Sequence, residues 1–413
     1  MGERDVFVLG GAQTDFARNW SRDGQSLFDM MRDTVEAGLT ATGLEASEVE
    51  TAHVGNFAAE LFCDQGQLGG LFAAIRPEFN GLPSGRHEAA CASGSLALLS
   101  AASEIEAGRY DLTCVLGVEY MRNVPGDMAA RHLGSACWRG REAEGVRYVW
   151  PAMFNDLYEE YDRRYGMKYE HVAEIARGNY ENARSNPNAQ TRNWKFGNRA
   201  FTEDDGENPV IEGRIRRQDC GQVTDGAAVV FLASRRFAEA YARKQGKTAA
   251  DLSRIEGWGH RTATMRLADK LADSADGDYV LPHVRGAATD AFRRAGIGGV
   301  DGLDLIEVHD CFSMTEYMTI DHLGITAPGE SWKAVEEGAI RRNGRIPINP
   351  SGGLIGLGHP VGATGVRMML DAHKQVTGSA GEYQIDGARR AGTLNIGGST
   401  TTTICTIVGR AAA

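Results

Sequence analysis

The chain has 413 residues, of which 42% are hydrophobic and 24% are charged, a composition typical of a globular protein too long for one hydrophobic core. Its formal net charge of −11 argues against nucleic acid as a main partner, because neutralising phosphates requires a basic surface. Seven scattered cysteines without a CxxC pair indicate neither a disulfide framework nor a zinc site, so we expect a reducing compartment and no metal.

The ends of the chain and its apolar runs bear on location. Residues Met1–Asp5 carry no apolar signal core, Arg410–Ala413 is not a peroxisomal address, and no apolar stretch approaches the length of a membrane span. We therefore expect a cytoplasmic protein without a membrane-spanning segment.

Strand-like apolar runs alternate with helical patterns, which is typical of α/β architecture with largely parallel strands. In the first half we predict strands at 6–10, 52–56 and 112–119, with a loop and a long helix before the last of them. The second half repeats this order with strands near 255 and at 305–309 and 392–398, and with a glycine-rich loop (351–365) and a helix (366–373) before the last. This repeat predicts two similar α/β halves that face one another.

The repeat is interrupted between residues 121 and 218, a region rich in Arg, Asn, Tyr and Trp with helical patterns at 153–163 and 172–183. This insertion is either a lid over a site or a surface segment that supports a dimer contact, and the pattern favours neither. We predict that 1–120 and 219–250 form the N-terminal half, 121–218 an inserted loop domain, and 251–413 the C-terminal half.

Cys91 lies among small residues at or near the start of the predicted helix of the first half. Helix N-termini favour negative charge, so we expect this thiol to shift towards the nucleophilic thiolate. Most single cysteines in apolar stretches are simply small buried hydrophobes, and a catalytic assignment therefore depends on the rest of the chain.

Three further segments lie at or near predicted strand ends. Residues 309–312 place a histidine and a cysteine where open α/β sheets bind ligands. The loop 349–365 surrounds His359 with glycines but lacks the lysine and the spacing of nucleotide-binding loops, and we interpret its glycines as space for an imidazole and a narrow ligand. The strand end at 395–398 either directs backbone amides into a site or forms a β-bulge.

Taken together, these motifs resemble the thiolase superfamily, in particular the sterol-carrier-protein-type thiolases and their bacterial and archaeal relatives. The matching segments are the Cys91 loop, His309–Phe312, Gly358–Gly365, Asn395–Gly398, Ser185–Gln190 and Asp219–Ala228. The resemblance runs nearly end to end. It implies a five-layered α-β-α-β-α fold with two doubly wound halves and an inserted loop domain.

The resemblance also implies a reaction, in which an acyl group passes between CoA thioesters through Cys91 as a 3-oxoacyl-CoA is cleaved or formed, in fatty acid or sterol metabolism. His359 would accept the Cys91 proton. Better-known thiolases carry a second catalytic cysteine where this chain has Asn395. In the branch with the His-Asp-Cys-Phe tetrad, Cys311 takes that acid/base role, and His309 donates to the thioester oxygen.

Further contacts are expected on the same grounds. The backbone amides of Cys91 and Gly397 would form an oxyanion hole. The arginines of a basic cluster near residue 215 either bind CoA phosphates or form a solvated charged face. The predicted substrate-binding residues are Gly353, Gly358, Asn395, Arg214 and Arg217.

The resemblance implies coenzyme A as a substrate and no prosthetic group, with acyl-CoA, CoA and a second copy of the chain in a homodimer or tetramer as partners. Members of this branch often need a small OB-fold or zinc-ribbon protein. The alternative functions are an acyltransferase, synthase or aldolase that acts on another acceptor with such a partner, and a non-catalytic member of the fold. Cys91 argues against the aldolase, which needs no thioester, and the set Cys91, Cys311 and His359 argues against a non-catalytic protein.

Overall fold

The computed structural model describes residues 5–411, so the predictions for the two ends of the chain fall partly outside the described residues. Within this range, no helix combines the length and the apolar character needed to cross a membrane. The predicted strands and helices are confirmed, with shifts of a few residues at their ends.

The first half and the insertion contain two groups of elements. Those of the first half are β1 (Val6–Gln13), α1 (Leu27–Thr42), β2 (Thr51–Gly55), α2 (Ala59–Cys63), α3 (Leu68–Ala73), β3 (Ser84–His87), α4 (Ser93–Glu106) and β4 (Leu112–Glu119). Those that follow are α5 (Gly126–Leu133), α6 (Val149–Tyr165), α7 (Tyr169–Ala183), β5 (Val210–Glu212) and β6 (Ile215–Arg216), before β7 (Gly226–Ser234) and α8 (Arg235–Lys244) return to the first half.

The second half opens with a long strand and closes with a hairpin. Its elements are β8 (Ser253–Thr262), α9 (Leu267–Asp273), α10 (Pro282–Arg294), β9 (Leu305–Val308), α11 (Ser313–Leu323), α12 (Ser331–Glu336), α13 (Thr364–Thr377), β10 (Arg390–Gly397) and β11 (Thr402–Arg410).

The large sheet has the strand order β3-β2-β4-β7-β1-β8-β11-β10-β9. Its two halves meet at β1 and β8, which pair only at Phe7 with Arg254 and Val8 with Ser253. The expectation of largely parallel strands is wrong for the middle of the sheet. There β4–β7, β7–β1, β8–β11 and β10–β11 are antiparallel, while β2, β3 and β4 and the pair β9–β10 are parallel. A short turn joins β10 to β11, and such a connection permits only antiparallel pairing.

Side chains alternate between the two faces of each strand, so helices can pack on both faces and five layers result. Phe7 and Phe231 pack against α1 on one face of the sheet, whereas Val8 and Val230 face α4 and α13 on the other. Helices α4 and α13 contact each other, and α13 touches strands of both halves. In the second half, α10 covers the outer face of β8 and β11. The order is therefore α-β-α-β-α, as predicted.

The central helices bring the two halves together through glycines. A Cβ at Gly117 would lie 2.5 Å from the carbonyl oxygen of Gly362, and one at Gly94 would lie 2.7 Å from the same atom. The start of α4, the strand β4 and the loop before α13 can therefore approach at backbone distance. This close approach brings the Cys91 and His359 loops together.

The insertion adds no strand to the large sheet. Its helix α7 packs against α11, α12 and the turn at 353–357, and the Tyr161 hydroxyl of α6 donates to Asp321 at 2.6 Å. The insertion thus rests on the second half and borders the His359 loop. The domain boundaries at 120, 218 and 250 stay predictions.

Replacing Gly117 by alanine should destabilise the fold by about 1–3 kcal/mol, because the added methyl would overpack the Gly362 loop. The matched control is Gly70→Ala, whose Cβ meets nothing within 4 Å and whose helical position favours alanine. Urea unfolding of both variants measures the difference. Equal free energies of unfolding would contradict the close approach.

Candidate active site

Cys91 occupies a tight turn directly before Ala92, the N-cap residue of α4. The preceding residue, Ala90, has a φ of 49°, a left-handed conformation that is unfavourable for a residue with a side chain. The Ser93 hydroxyl holds this turn, because it donates to the Ala90 carbonyl at 2.6 Å and accepts from the Ala89 N–H at 2.9 Å. The turn presents a partly accessible sulfur on a rigid support.

The expectation that the helix start makes Cys91 a thiolate is wrong. Burial raises the pKa of its thiol to about 12, and the charge of Glu119 adds to this rise. Hydrogen bonds from the N–H of Gly398 and from the cysteine's own N–H act in the opposite direction without outweighing burial. Burial, aided by the charge of Arg367, also lowers the pKa of His359 to about 3. Both groups are therefore neutral near pH 7.

Hydrogen bonds determine which nitrogen of His359 carries the proton. The Thr364 hydroxyl lies 2.7 Å from His359 Nδ1 and 3.1 Å from the Pro360 carbonyl, which can only accept. The hydroxyl therefore donates to the carbonyl, and its oxygen accepts the Nδ1–H. His359 Nε2 is left unprotonated, and this buried atom has no hydrogen-bond partner. This nitrogen can therefore accept a proton.

His309 has the opposite arrangement. Val308 pairs with Leu394 in the parallel strands β9 and β10, so His309 and Asn395 follow side by side at the carboxyl ends. Asn395 Oδ1 accepts from the Ser95 hydroxyl at 2.9 Å, and its Nδ2 donates to His309 Nδ1 at 3.1 Å. The proton of this neutral ring is consequently on Nε2. Burial, together with the neighbouring His359 ring and the charge of Arg367, keeps the pKa of His309 well below its usual value.

The two rings meet at Cys91. Their centroids are 5.1 Å apart at an interplanar angle of 88°, and the sulfur and one nitrogen of each ring lie within 4.8 Å of one another. This places a nucleophile, a proton acceptor and a proton donor around one point. Such a set is also compatible with a metal ion, so the expectation of a metal-free site stays a prediction.

Cys311 lies near this group, two residues before the start of α11. Its carbonyl accepts from the Gly221 N–H at 2.8 Å. Burial raises the pKa of the thiol well above its usual value, and the nearby Cys91 raises it further. Cys311 is thus a neutral thiol with a proton to give.

Two buried carboxylates fix the loop that carries His359. Glu119 accepts from the Gly362 N–H at 3.0 Å, and Asp310 accepts from the N–H groups of residues 354 and 355 at 2.6 and 3.1 Å. Burial raises the pKa of each to about 7, while these hydrogen bonds lower it. Sequence reasoning missed Glu119, although an acidic residue ending the apolar run 112–119 is a usable signal.

The interpretation of the glycines needs revision. The missing Cβ of Gly353 makes room for the Asp310 carboxylate, and a Cβ at Gly358 would lie 3.0 Å from Thr224. These glycines admit side chains of the protein itself, and their role in substrate binding stays a prediction. Gly397 packs closely on the Ala89 carbonyl, while the next amide, that of Gly398, lies near enough to the Cys91 sulfur to lower the pKa of its thiol.

The two predicted arginines differ in their surroundings. Arg214 pairs with Asp162 at 2.7 Å and lies over the Tyr158 ring at 4.1 Å, contacts that serve the packing of the insertion. Arg217 is exposed and lines a cleft of about 550 Å³ together with Trp194, Lys195, Phe196 and Gln222. The cleft leads towards the site, since residues 221 and 223 pair with residues 311 and 359.

Comparison with known families agrees with this geometry. Residues 6–236 match the model of the thiolase N-terminal domain, and residues 267–410 match that of the thiolase C-terminal domain-like family. The chain belongs to the thiolase family and is an enzyme of the acyltransferase type. Coenzyme A is a substrate in this family, which uses no prosthetic group.

The relatives define the branch. An acetyl-CoA acetyltransferase of Methanothermobacter thermautotrophicus is 34% identical over 96% of this chain and 97% of its own length. Sterol carrier protein 2 of Gallus gallus is 29% identical over 96% of this chain and 70% of its own. These similarities confirm the predicted sterol-carrier-protein-type branch.

Solved structures show the same fold. An Ltp2–ChsH2(DUF35) aldolase covers 98% of both chains with a TM-score of 0.78 at 19% identity. Human mitochondrial 3-ketoacyl-CoA thiolase in complex with CoA covers 99% of both chains with a TM-score of 0.64 at 16% identity.

Alkylation of Cys91 by iodoacetamide should accelerate about tenfold per pH unit between about pH 6 and pH 9, since the thiolate fraction grows in this way below a thiol pKa of about 12. Peptide mass spectrometry of quenched samples measures the rate, with Cys91→Ala as the background. A plateau near neutral pH would instead reveal a thiolate–imidazolium pair.

Replacing Thr364 by valine should lower the rate of acyl transfer by about 5- to 150-fold, because a buried Nδ1–H without an acceptor costs about 1–3 kcal/mol. Thr364→Ser keeps the hydroxyl and should stay within a few-fold of the wild-type rate. Equal rates for the valine and serine variants would show that this hydroxyl does not hold the His359 ring.

Proposed function

We propose that this enzyme cleaves or forms 3-oxoacyl-CoA by moving an acyl group through a thioester on Cys91. The observation that carries the proposal is the hydrogen bonding of the two Nδ1 atoms beside the sulfur, which assigns opposite tautomers to the two rings. His359 offers an unprotonated Nε2 to the thiol, and His309 offers an Nε2–H to a developing negative charge. A two-step acyl transfer needs both functions at one point.

In the cleavage direction, the Cys91 sulfur attacks C3 of the substrate while its proton passes to His359 Nε2. The C2–C3 bond then breaks, its electron pair goes to C2, and Cys311 supplies the proton that completes acetyl-CoA. In the second step the sulfur of free CoA gives its proton to the Cys311 thiolate, which becomes a thiol again, and attacks the acyl carbon. The Cys91 sulfur leaves with the proton held by His359.

Negative charge develops on two oxygens during these steps. His309 Nε2–H donates to the thioester oxygen of the departing enolate. The amides of Cys91 and Gly397 hold the oxygen at C3, with Gly398 adjacent to the sulfur. Removing one such donor typically costs about 3–4 kcal/mol in the transition state, so these contacts account for a large part of the rate.

The cleft beside Arg217 is the proposed site for the nucleotide part of CoA. Arg217 and Lys195 supply positive charge for its phosphates, and Trp194 offers an aromatic face that is 39% exposed. Arg214 is already paired with Asp162 at 2.7 Å, and its part in substrate binding stays a prediction. The extended segment 220–223, which pairs with residues 311, 312 and 359, would lead the rest of the CoA molecule to Cys311 and His359.

Similarity supports acyl transfer with CoA thioesters in general, since a relative that covers nearly the whole chain is named acetyl-CoA acetyltransferase. The second candidate is an aldolase that works with a small partner protein, because the Ltp2–ChsH2(DUF35) aldolase shares the fold with a TM-score of 0.78. Cys91, set on a strained turn between two oriented histidines, favours the thioester route.

We further propose that the chain divides into its two halves and the insertion at residues 120, 218 and 250. A homodimer or tetramer and a cytoplasmic location are part of the same proposal.

Incubation with acetyl-CoA, propionyl-CoA and 3-oxoacyl-CoA esters of several chain lengths should add one acyl mass to the protein. Cys91→Ala should abolish the adduct, whereas Cys63→Ala, which removes a partly buried thiol of the same apolar cluster, should keep it. Intact-protein mass spectrometry measures both, and the added mass identifies the acyl group.

Cys311→Ala separates the two chemical roles. Acetylation of Cys91 by acetyl-CoA needs no proton at C2 and should persist, while cleavage of acetoacetyl-CoA should fall by about 10²- to 10⁴-fold. The absence of any adduct while bond cleavage proceeds would favour the aldolase, and an adduct that survives in Cys91→Ala would contradict Cys91 as the acyl carrier.

A further inference from the structure

Residues 397–401 form the turn between β10 and β11 and bring backbone amides close to Cys91. The backbone of this turn has an unfavourable conformation. Gly398 and Thr400 have φ angles of 63° and 65°. Glycine adopts this region freely, but threonine is β-branched and does so at a cost of about 1–3 kcal/mol. Contacts from outside the turn must therefore hold it.

Lys270 supplies most of these contacts. Its buried ammonium, on α9, donates to the Ser399 carbonyl at 2.6 Å, the Ser399 hydroxyl at 2.8 Å and the Thr401 hydroxyl at 2.8 Å. A fourth acceptor, the Met265 carbonyl, lies at 3.2 Å. Lys270 is only 4% exposed, and no carboxylate forms an ion pair with it among the described residues. A buried charge that bonds only to neutral oxygens, three of them in one turn, is a costly arrangement.

His283, on α10, takes the next carbonyl. Its Nε2 lies 2.9 Å from the Thr400 carbonyl, which only accepts, so Nε2 carries the proton. The Thr401 carbonyl accepts from the Ala263 N–H at 2.8 Å. All three carbonyls from Ser399 to Thr401 are thus held from three separate segments.

Helix α9 also connects the turn to the inserted region. Its first N–H, that of Leu267, donates to Glu142 at 2.8 Å, and the Leu267 side chain packs with Cys137 and Val149. Lys270 lies one helical turn further on. The helix that holds the turn is therefore itself held by the insertion.

We propose that Lys270 and His283 are positioning residues that set the Gly397 amide against the acyl oxygen on Cys91 and the Gly398 amide against its sulfur. Neither side chain touches the substrate. The inference rests on the proposed function, because it requires an oxyanion formed at Cys91. Displacing these amides should slow the reaction but leave the resting enzyme equally stable. They stabilise the transition state only when they face the developing negative charge.

The test compares four variants by the rate of Cys91 acylation, the KM and the thermal midpoint. Lys270→Met and His283→Leu remove donors from the turn, and His283→Gln restores an N–H near the same place. The matched control is Ser274→Ala, which removes a buried hydrogen bond of 2.7 Å to Val280 between α9 and α10 and does not contact the turn.

We expect acylation to slow by about 10- to 100-fold in Lys270→Met and His283→Leu, with KM changed less than about threefold. His283→Gln should recover most of the rate. Ser274→Ala should lower the thermal midpoint and leave acylation unchanged. Hydrogen exchange of residues 397–401 should accelerate in Lys270→Met without substrate.

Wild-type acylation rates in folded Lys270→Met and His283→Leu would overturn the inference, as would rate losses that merely follow the thermal midpoint in all variants. If Lys270→Met does not fold, the contrast between His283→Leu and His283→Gln decides. A wild-type enzyme that never acquires an acyl adduct would overturn the proposed function, and this outcome is distinct because it precedes any comparison of variants.

Discussion

The site depends on the contact between two loops that come from opposite halves of the chain. The carbonyl of Gly362 touches Gly94 and Gly117 at distances that no side chain could enter. Buried Glu119 then fastens the same loop by accepting the Gly362 N–H. Burying this charge is unfavourable, which raises its pKa to about 7, and the hydrogen bonds from backbone N–H groups offset part of the cost. The distance between Cys91 and His359 follows from this contact.

The two histidines beside Cys91 differ in which ring nitrogen carries the proton, not in their charge. Thr364 leaves His359 with a free lone pair, and Asn395 leaves His309 with an outward N–H. Since both rings and the thiol are neutral, the sulfur becomes an anion only while it attacks, and no resting ion pair has to be desolvated. Asn395 thus acts by orienting His309, and Cys311 takes the acid/base role in the proposed mechanism.

Much of this could be predicted from the sequence. The apolar runs of β4 and β9 marked the sheet, and polar residues directly after strand ends marked the site. The antiparallel centre of the sheet could not be predicted, because strand direction depends on connections outside the local pattern. The raised pKa of Cys91 depends on burial by distant segments, and the pairing of Arg214 with Asp162 joins residues 52 positions apart. Thr364 was within the glycine-rich motif, yet its role emerges only from the position of a ring nitrogen.

The most direct test of this account is the ¹⁵N spectrum of the two histidine rings near pH 7 in the resting enzyme. Selective histidine labelling, with His309→Asn and His359→Asn for assignment, distinguishes protonated from unprotonated ring nitrogens. We predict a proton on Nδ1 alone for His359 and on Nε2 alone for His309. A doubly protonated His359, or one protonated only at Nε2, would contradict the proposed division of roles.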